Sequence, residues 1–169
     1  IISFVASLLT TLFTISWLIP ILTERGITGI DMNKKNKTQI PEMGGLAVII
    51  GFIAGLLVLF TSLEINGNDF EITSILFISF VVIILVGFVG IVDDILSIRQ
   101  FVKALVIFLL AIPLGFYAPI DMYVPFVGSI NFGVSMIFLV PLAITCASNS
   151  MNMLEGFNGL GVGLGIIIV

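Results

Sequence analysis

The sequence predicts an all-α polytopic membrane protein with five transmembrane helices and the start of a sixth. Three observations predict it. The 169 residues are 59% hydrophobic and only 9% charged, against about 25% charged in an ordinary soluble domain. Mean hydropathy is +1.31. The apolar residues fall into runs separated by short polar segments, and most runs approach the roughly 20 residues that one helix needs to cross a hydrocarbon core.

Ile1 to Leu22 is the first span, with Trp17 near one end as an interfacial anchor. It is too long, and too poor in flanking charge, for a cleaved signal peptide. Thr23 to Glu42 is polar and holds four of the six basic residues. Met43 to Leu63 is the second span; its Gly51 and Gly55 form a GxxxG pair that permits close helix packing. A short acidic turn, Glu64 to Glu71, leads to the third span, Ile72 to Val92. Asp93 to Gln100 reads as a charged connection, and Phe101 to Ala118 as the fourth span, with Pro113 as its expected kink. Between Pro119 and Phe132, alternating residues and Gly128-Ser129 predict a small β-hairpin near 123–132. Phe132 to Ala147 is the fifth span, Ser148 to Gly159 is amide-rich, and Leu160 to Val169 opens the sixth.

All six basic residues (Arg25, Lys34, Lys35, Lys37, Arg99 and Lys103) lie in or beside the connections after odd-numbered spans. The positive-inside rule therefore puts those connections in the cytoplasm, with the N-terminus and the hairpin outside. The lone Cys146 excludes an internal disulfide and a CxxC metal knuckle. With no histidine, zinc-hydrolase and Ser-His chemistry cannot be built from this segment. The net charge of −4 says little about partners; no nucleic-acid partner is expected. The chain starts at Ile1 and stops inside an apolar run, so it reads as a single, incomplete transmembrane domain over 1–169.

Three polar clusters fall on the cytoplasmic side. The first is Asp93-Asp94, directly after the apolar run ending at Val92. The ordinary alternative is a pair of N-caps for the next helix. Two ionisable groups at a membrane boundary favour function instead: Mg²⁺ takes hard oxygen ligands together with substrate phosphates, and a carboxylate can also accept a proton. Arg99 and Lys103, four apart, share a helix face. They either snorkel to the interface or neutralise a diphosphate. The second cluster is Asn149 to Leu160, with three asparagines and Glu155. A single membrane asparagine is usually interhelical glue, whereas this density reads as a polar site. The third runs from Gly29 to Gly45. Lys35 and Lys37 suit anionic lipid headgroups, but Asp31, Asn33, Lys34 and Pro41-Glu42 have no such generic explanation. Gly44-Gly45 would let backbone approach a ligand or a neighbouring helix.

In order, Asp31-Met32-Asn33-Lys34 through Ile40-Pro41-Glu42, Asp93-Asp94 through Lys103, and Asn149 through Leu160 resemble the polyprenyl-phosphate N-acetylhexosamine-1-phosphate transferases (glycosyltransferase family 4). Ile40-Pro41-Glu42 and Asn158 are similar to the dolichol-using enzymes, while Met43-Gly44-Gly45 and Glu155 look more bacterial. This mixture fits an archaeal member, closest to the archaeal and eukaryotic UDP-GlcNAc:dolichyl-phosphate GlcNAc-1-phosphotransferases. The resemblance implies the N-terminal half of an enzyme of roughly ten helices. Its reaction would be Mg²⁺-dependent (Mn²⁺ as an alternative) transfer of a HexNAc-1-phosphate, GlcNAc-1-phosphate foremost, from a UDP-sugar to a polyprenyl or dolichyl phosphate, releasing UMP. That is the first membrane step of lipid-linked glycan synthesis, for protein glycosylation or cell-wall biogenesis. The site would face the cytoplasm, at the plasma membrane or, in a eukaryote, the endoplasmic reticulum.

Carried over residue by residue, the resemblance makes Asp93, Asp94 and Lys103 catalytic, with Asp93 deprotonating or positioning the lipid phosphate and Lys103 on the diphosphate. Asn152 would ligate Mg²⁺. Met32 and Glu42 would line the nucleotide site, Asn158 would read the uracil, and Lys34, Asn149 and Arg99 would complete substrate binding. A further Mg²⁺-ligating aspartate and a basic final loop, which the family carries in its C-terminal half, are not in these residues, so the segment alone is expected to be inactive. Oligomeric state is left open by the sequence; the GxxxG pair and the family's habit permit a homodimer. The competing functions are an ion-coupled transporter, whose charges would lie near the bilayer midplane, and an inactive membrane scaffold.

Overall fold

A computed structural model describes residues 1–30, 34–65, 74–154 and 159–168. Its helices are α1 (Ile2–Glu24), α2 (Gly44–Ile65), α3 (Ser74–Leu96), α4 (Gln100–Tyr117), α5 (Met136–Leu154) and α6 (Leu160–Ile168). Strands β1 (Thr28–Ile30) and β2 (Gln39–Pro41) pair between α1 and α2, and β3 (Asp121–Val124) and β4 (Gly128–Asn131) pair between α4 and α5. Among the described residues, five helices are long and apolar enough to cross a membrane, the fifth counted from Gly133 through a 3₁₀ turn into α5. The predicted helices and the second hairpin are therefore present. The chain divides into two compact units.

The first unit holds α1, β1–β2, α2 and the last turns of α3 (Gly90–Leu96). α1 and α2 pack antiparallel along two rows of small residues at i, i+4 spacing. On α2 the row is Ala47, Gly51 and Gly55, all buried. On α1 it is Ser3, Ser7 and Thr11. A Cβ at Gly51 would collide with the Thr11 hydroxyl and lie 2.8 Å from the Ser7 carbonyl oxygen; a Cβ at Gly55 would lie 2.9 Å from that of Ser7. The Thr11 hydroxyl donates to the Ser7 carbonyl at 2.8 Å, so close approach strands no polar group. Toward the other end, Leu18, Leu22 and Ala47 form the buried cluster, with Ile15, Met43 and Leu46 packed on it. The GxxxG pair is thus engaged by α1 of the same chain rather than offered to a second copy.

The second unit holds the rest of α3, then α4, β3–β4, α5 and α6. α4 buries Lys103, Ile107, Ala111 and Gly115, again one row at i, i+4. Its partner α5 buries Met136, Pro141 and Thr145. A Cβ on Gly115 would lie 2.7 Å from the Ile137 Cα and 2.9 Å from its carbonyl oxygen, so backbone meets backbone there. Pro141 has no N–H to donate to that Ile137 carbonyl, while the Thr145 hydroxyl donates to the Pro141 carbonyl at 2.8 Å.

Two boundaries differ from the sequence reading, and both involve polar residues. Asp93 and Asp94 are not in a connection; they occupy the last turn of α3, which ends at Leu96 with Ser97 in a left-handed conformation at φ +48°. α5 runs to Leu154, well beyond Ala147, so Asn149 and Asn152 are helical. In both cases the helix continues past the apolar run that hydropathy marks. The hairpin near 123–132 spans 121–131, its base tied by Asn131 Nδ2 donating to Asp121 Oδ1 at 2.7 Å.

Candidate functional site

Asp93 and Asp94 close α3, and the start of α4 is not theirs to cap: its N-cap is Arg99, with no side-chain cap bond. Being at the C-terminal end of a helix matters. The macrodipole puts partial negative charge there, so an acidic side chain costs about 0.3–1 kcal/mol where a basic one would stabilise. No basic residue shares that turn. Asp93 and Asp94 therefore do not cap α4, which removes the capping alternative. Asp93 is half-buried and Asp94 exposed.

Lys103 is the best buried charged group among the described residues, at 4% exposure. It sits one turn into α4, at the head of the row that faces α5. The antiparallel direction can be followed from Gly115 against Ile137: twelve residues back along α4 is Lys103, and twelve residues on along α5 is Asn149. Lys103 near the start of α4 and Asn149 near the end of α5 thus lie toward the same end of this antiparallel pair. Asn149 is half-buried, and its Nδ2 donates to the Thr145 carbonyl at 2.9 Å. Asn152, three residues on, is exposed. Arg99 is exposed at the N-cap of α4.

In the first unit, the polar loop is built differently from the reading of the sequence. β1 pairs with β2 in the register Thr28↔Pro41, Gly29↔Ile40, Ile30↔Gln39. The Glu42 N–H extends the ladder by donating to the Ile27 carbonyl at 3.3 Å. The Glu42 carboxylate then lies across Gly29, in the space a Cβ there would fill. Gly29 is thus a positioning residue for Glu42, and Ile27-Thr28-Gly29-Ile30 was the overlooked signal: β-branched residues around a glycine. Met43 follows in a left-handed conformation, φ +68°, and turns the chain into α2. An open, largely apolar cleft of ≈ 260 Å³ lies between the end of α1 and this turn, walled by Leu18 and Leu22 and edged by Glu42 and Met43. Nothing described lies within 4 Å of a Cβ at Gly44 or Gly45, so their smallness serves no helix contact among the described residues. Lys34 is exposed and turns the loop by accepting from the Lys37 N–H at 3.0 Å. Met32 and Asn158, with Asp31, Asn33 and Glu155, lie outside the described residues.

Residues 75–169 match the sequence profile of Glycosyl transferase family 4. The chain belongs to this family. A Sulfolobus acidocaldarius protein, provisionally named UDP-N-acetylglucosamine–dolichyl-phosphate N-acetylglucosaminephosphotransferase, is 37% identical over 98% of this chain and 51% of its own length. A Dictyostelium discoideum protein of the same name is 29% identical over 86% of this chain and 40% of its own. A Clostridium botulinum phospho-N-acetylmuramoyl-pentapeptide-transferase is 27% identical over 79% and 42%. The family 4 chain spans about half the length of the curated relatives it matches. No solved structure matches it.

In this family 4 chain Asp93 and Asp94, in the first unit, carry carboxylates, and Asn152, in the second, an amide oxygen; each is by itself a ligand type that Mg²⁺ takes. Among the described residues no three acidic, histidine or cysteine side chains cluster, so these carboxylates do not form a metal cage by themselves.

Proposed function

We propose that the whole protein transfers a HexNAc-1-phosphate, most simply GlcNAc-1-phosphate, from a UDP-sugar to a polyprenyl or dolichyl phosphate, releasing UMP. The observation that carries this is the location of the polar groups at helix ends: Asp93-Asp94 in the last turn of α3, Lys103 one turn into α4, and Asn149 and Asn152 in the last turns of α5. A lipid-phosphate acceptor is reached at a membrane boundary, whereas an ion-coupled transporter would hold such groups near the midplane. The names of the relatives support the same reading.

In this reading the chain's own residues divide the work. Lys103 supplies a positive charge in a desolvated setting, where it stabilises diphosphate charge far more than it would in water. Asp93 positions or deprotonates the acceptor phosphate. Asp94 belongs with Asp93 to the acidic motif at the lipid phosphate. Asn152 would help hold Mg²⁺, whose charge would neutralise the diphosphate and the leaving UMP. Glu42, fixed over Gly29, with Met32 and Lys34, lines the nucleotide side; Asn158 reads the uracil, and Asn149 and Arg99 complete the substrate contacts. Phosphoryl transfer depends mainly on such positioning and charge neutralisation. The site faces the cytoplasm, following the distribution of basic residues.

The test supplies the full-length protein with labelled UDP-GlcNAc, Mg²⁺ and a polyprenyl phosphate, and follows label into the lipid phase. Label entering the lipid with stoichiometric UMP is the expected result. No transfer from any UDP-HexNAc would overturn the proposal.

A further inference from the structure

The β3–β4 hairpin carries its polarity the wrong way round for a loop in water. Its base is polar, joined by Asn131 to Asp121. Its tip is apolar: Phe126 is 107% exposed and Val127 70%. The turn itself is closed by the Val127 N–H donating to the Val124 carbonyl at 3.1 Å, with Pro125 and Phe126 at its centre. Phe126 has φ +70°, the conformation that the third residue of such a turn takes and that glycine or asparagine ordinarily supplies. A phenylalanine there is strained in its backbone and, among the described residues, rests its ring on nothing. Neither choice helps the fold of this chain.

The strands repeat the pattern. Asp121, Tyr123, Ser129 and Asn131 alternate onto one face and are exposed, whereas Met122, Val124 and Ile130 occupy the other. A lone two-stranded hairpin is marginal in water and needs a surface to lie on. Both ends are tied to membrane-crossing helices: α4 ends at Tyr117, and the apolar segment into α5 begins at Gly133. The Phe132 N–H donates to the Ile120 carbonyl at 2.8 Å and closes the base. Four strand residues at about 3.3 Å each reach only about 13 Å, so the tip stays close to the leaflet in which α4 ends.

We propose that β3–β4 is an interfacial anchor. It lies on the lipid surface with Phe126 and Val127 at the headgroup–acyl boundary and the Asp121–Asn131 face toward water. Amphipathic elements bind bilayers in this way, apolar side down. The anchor would hold the α4–α5 pair at a fixed depth, independently of the reaction at its other end.

The test uses the full-length protein in phosphatidylcholine bilayers, with Phe126→Trp and, separately, Ser129→Trp. Each is read as the fluorescence added over the parent protein. The signal added by Phe126→Trp is expected to lose most of its intensity when the lipid carries bromine high on its acyl chains, and to resist aqueous iodide. The signal added by Ser129→Trp is expected to behave oppositely. An indole at position 126 that is quenched by iodide and not by brominated lipid overturns the proposal. So does one shielded from both quenchers, since a protein surface would then cover the tip. Equal lipid quenching at both positions would sink the two-faced orientation.

Discussion

The α1–α2 and α4–α5 pairs are built by the same rule and end differently. Each is antiparallel and packs along one row at i, i+4, and each contains a glycine with no room for a side chain: Gly51 against Thr11, Gly115 against Ile137. The first row is small throughout, with Ala47, Gly51 and Gly55. The second starts at Lys103 and continues through Ile107, Ala111 and Gly115. Burying a lysine costs stability unless its charge is compensated, and nothing in the packing of Ile107, Ala111 and Gly115 requires one. The comparison separates a pair whose row only packs from a pair whose row also carries a charge near a helix end.

The largest effects should fall on the polar groups at helix ends. In the full-length protein, Asp94→Asn and Asn152→Ala are each expected to abolish label transfer to the lipid. Near-full rates in both would show that the helix-end groups are not the reacting site. Next come the two tight glycines. Gly51→Leu and Gly115→Leu should each lower the thermal unfolding midpoint, by the equivalent of at least about 1–3 kcal/mol for overpacking. If only one did so, the likeness between the two pairs would fail.

A smaller and more specific effect is expected at Gly29. Gly29→Ala pushes the Glu42 carboxylate aside, so the KM for the UDP-sugar should rise with kcat little changed, the signature of lost uniform binding. An unchanged KM would remove Glu42 from the nucleotide side. The smallest change belongs to Gly44→Ala, whose Cβ meets open space among the described residues. Stability should stay within about 0.5 kcal/mol, which makes it the control for the buried glycines.

Much of this fold is legible in the sequence because hydropathy is a strong signal when a helix must satisfy its whole backbone internally. The five long helices and the second hairpin follow from apolar runs and turn residues. What hydropathy misreads is polar residues that stay helical. Asp93 and Asp94 look like a connection, and Asn149 and Asn152 like a loop, because the measure tracks transfer free energy and not backbone geometry. The β1–β2 pair is illegible for another reason: three-residue strands carry too little periodicity to register, and only Gly29 under Glu42 shows why the loop folds as it does. At the site, Lys103 stands out in the sequence for its place inside an apolar run, and the structure buries it. Pro113 is not alone within a helix: Pro20 and Pro141 are helical too, and hydropathy passes over them because proline does not interrupt an apolar run.

The central claim is that the α4–α5 face carries reaction chemistry through Lys103. Lys103→Met keeps the apolar stem and removes the charge. Transfer by the full-length variant should fall by roughly 10²–10³-fold, as for loss of one preorganised charge-stabilising group, in a variant whose cooperative thermal unfolding shows that it is folded. A variant that transfers GlcNAc-1-phosphate at the parent rate would contradict the account, because Lys103 would then be a packing residue like Ile107 below it.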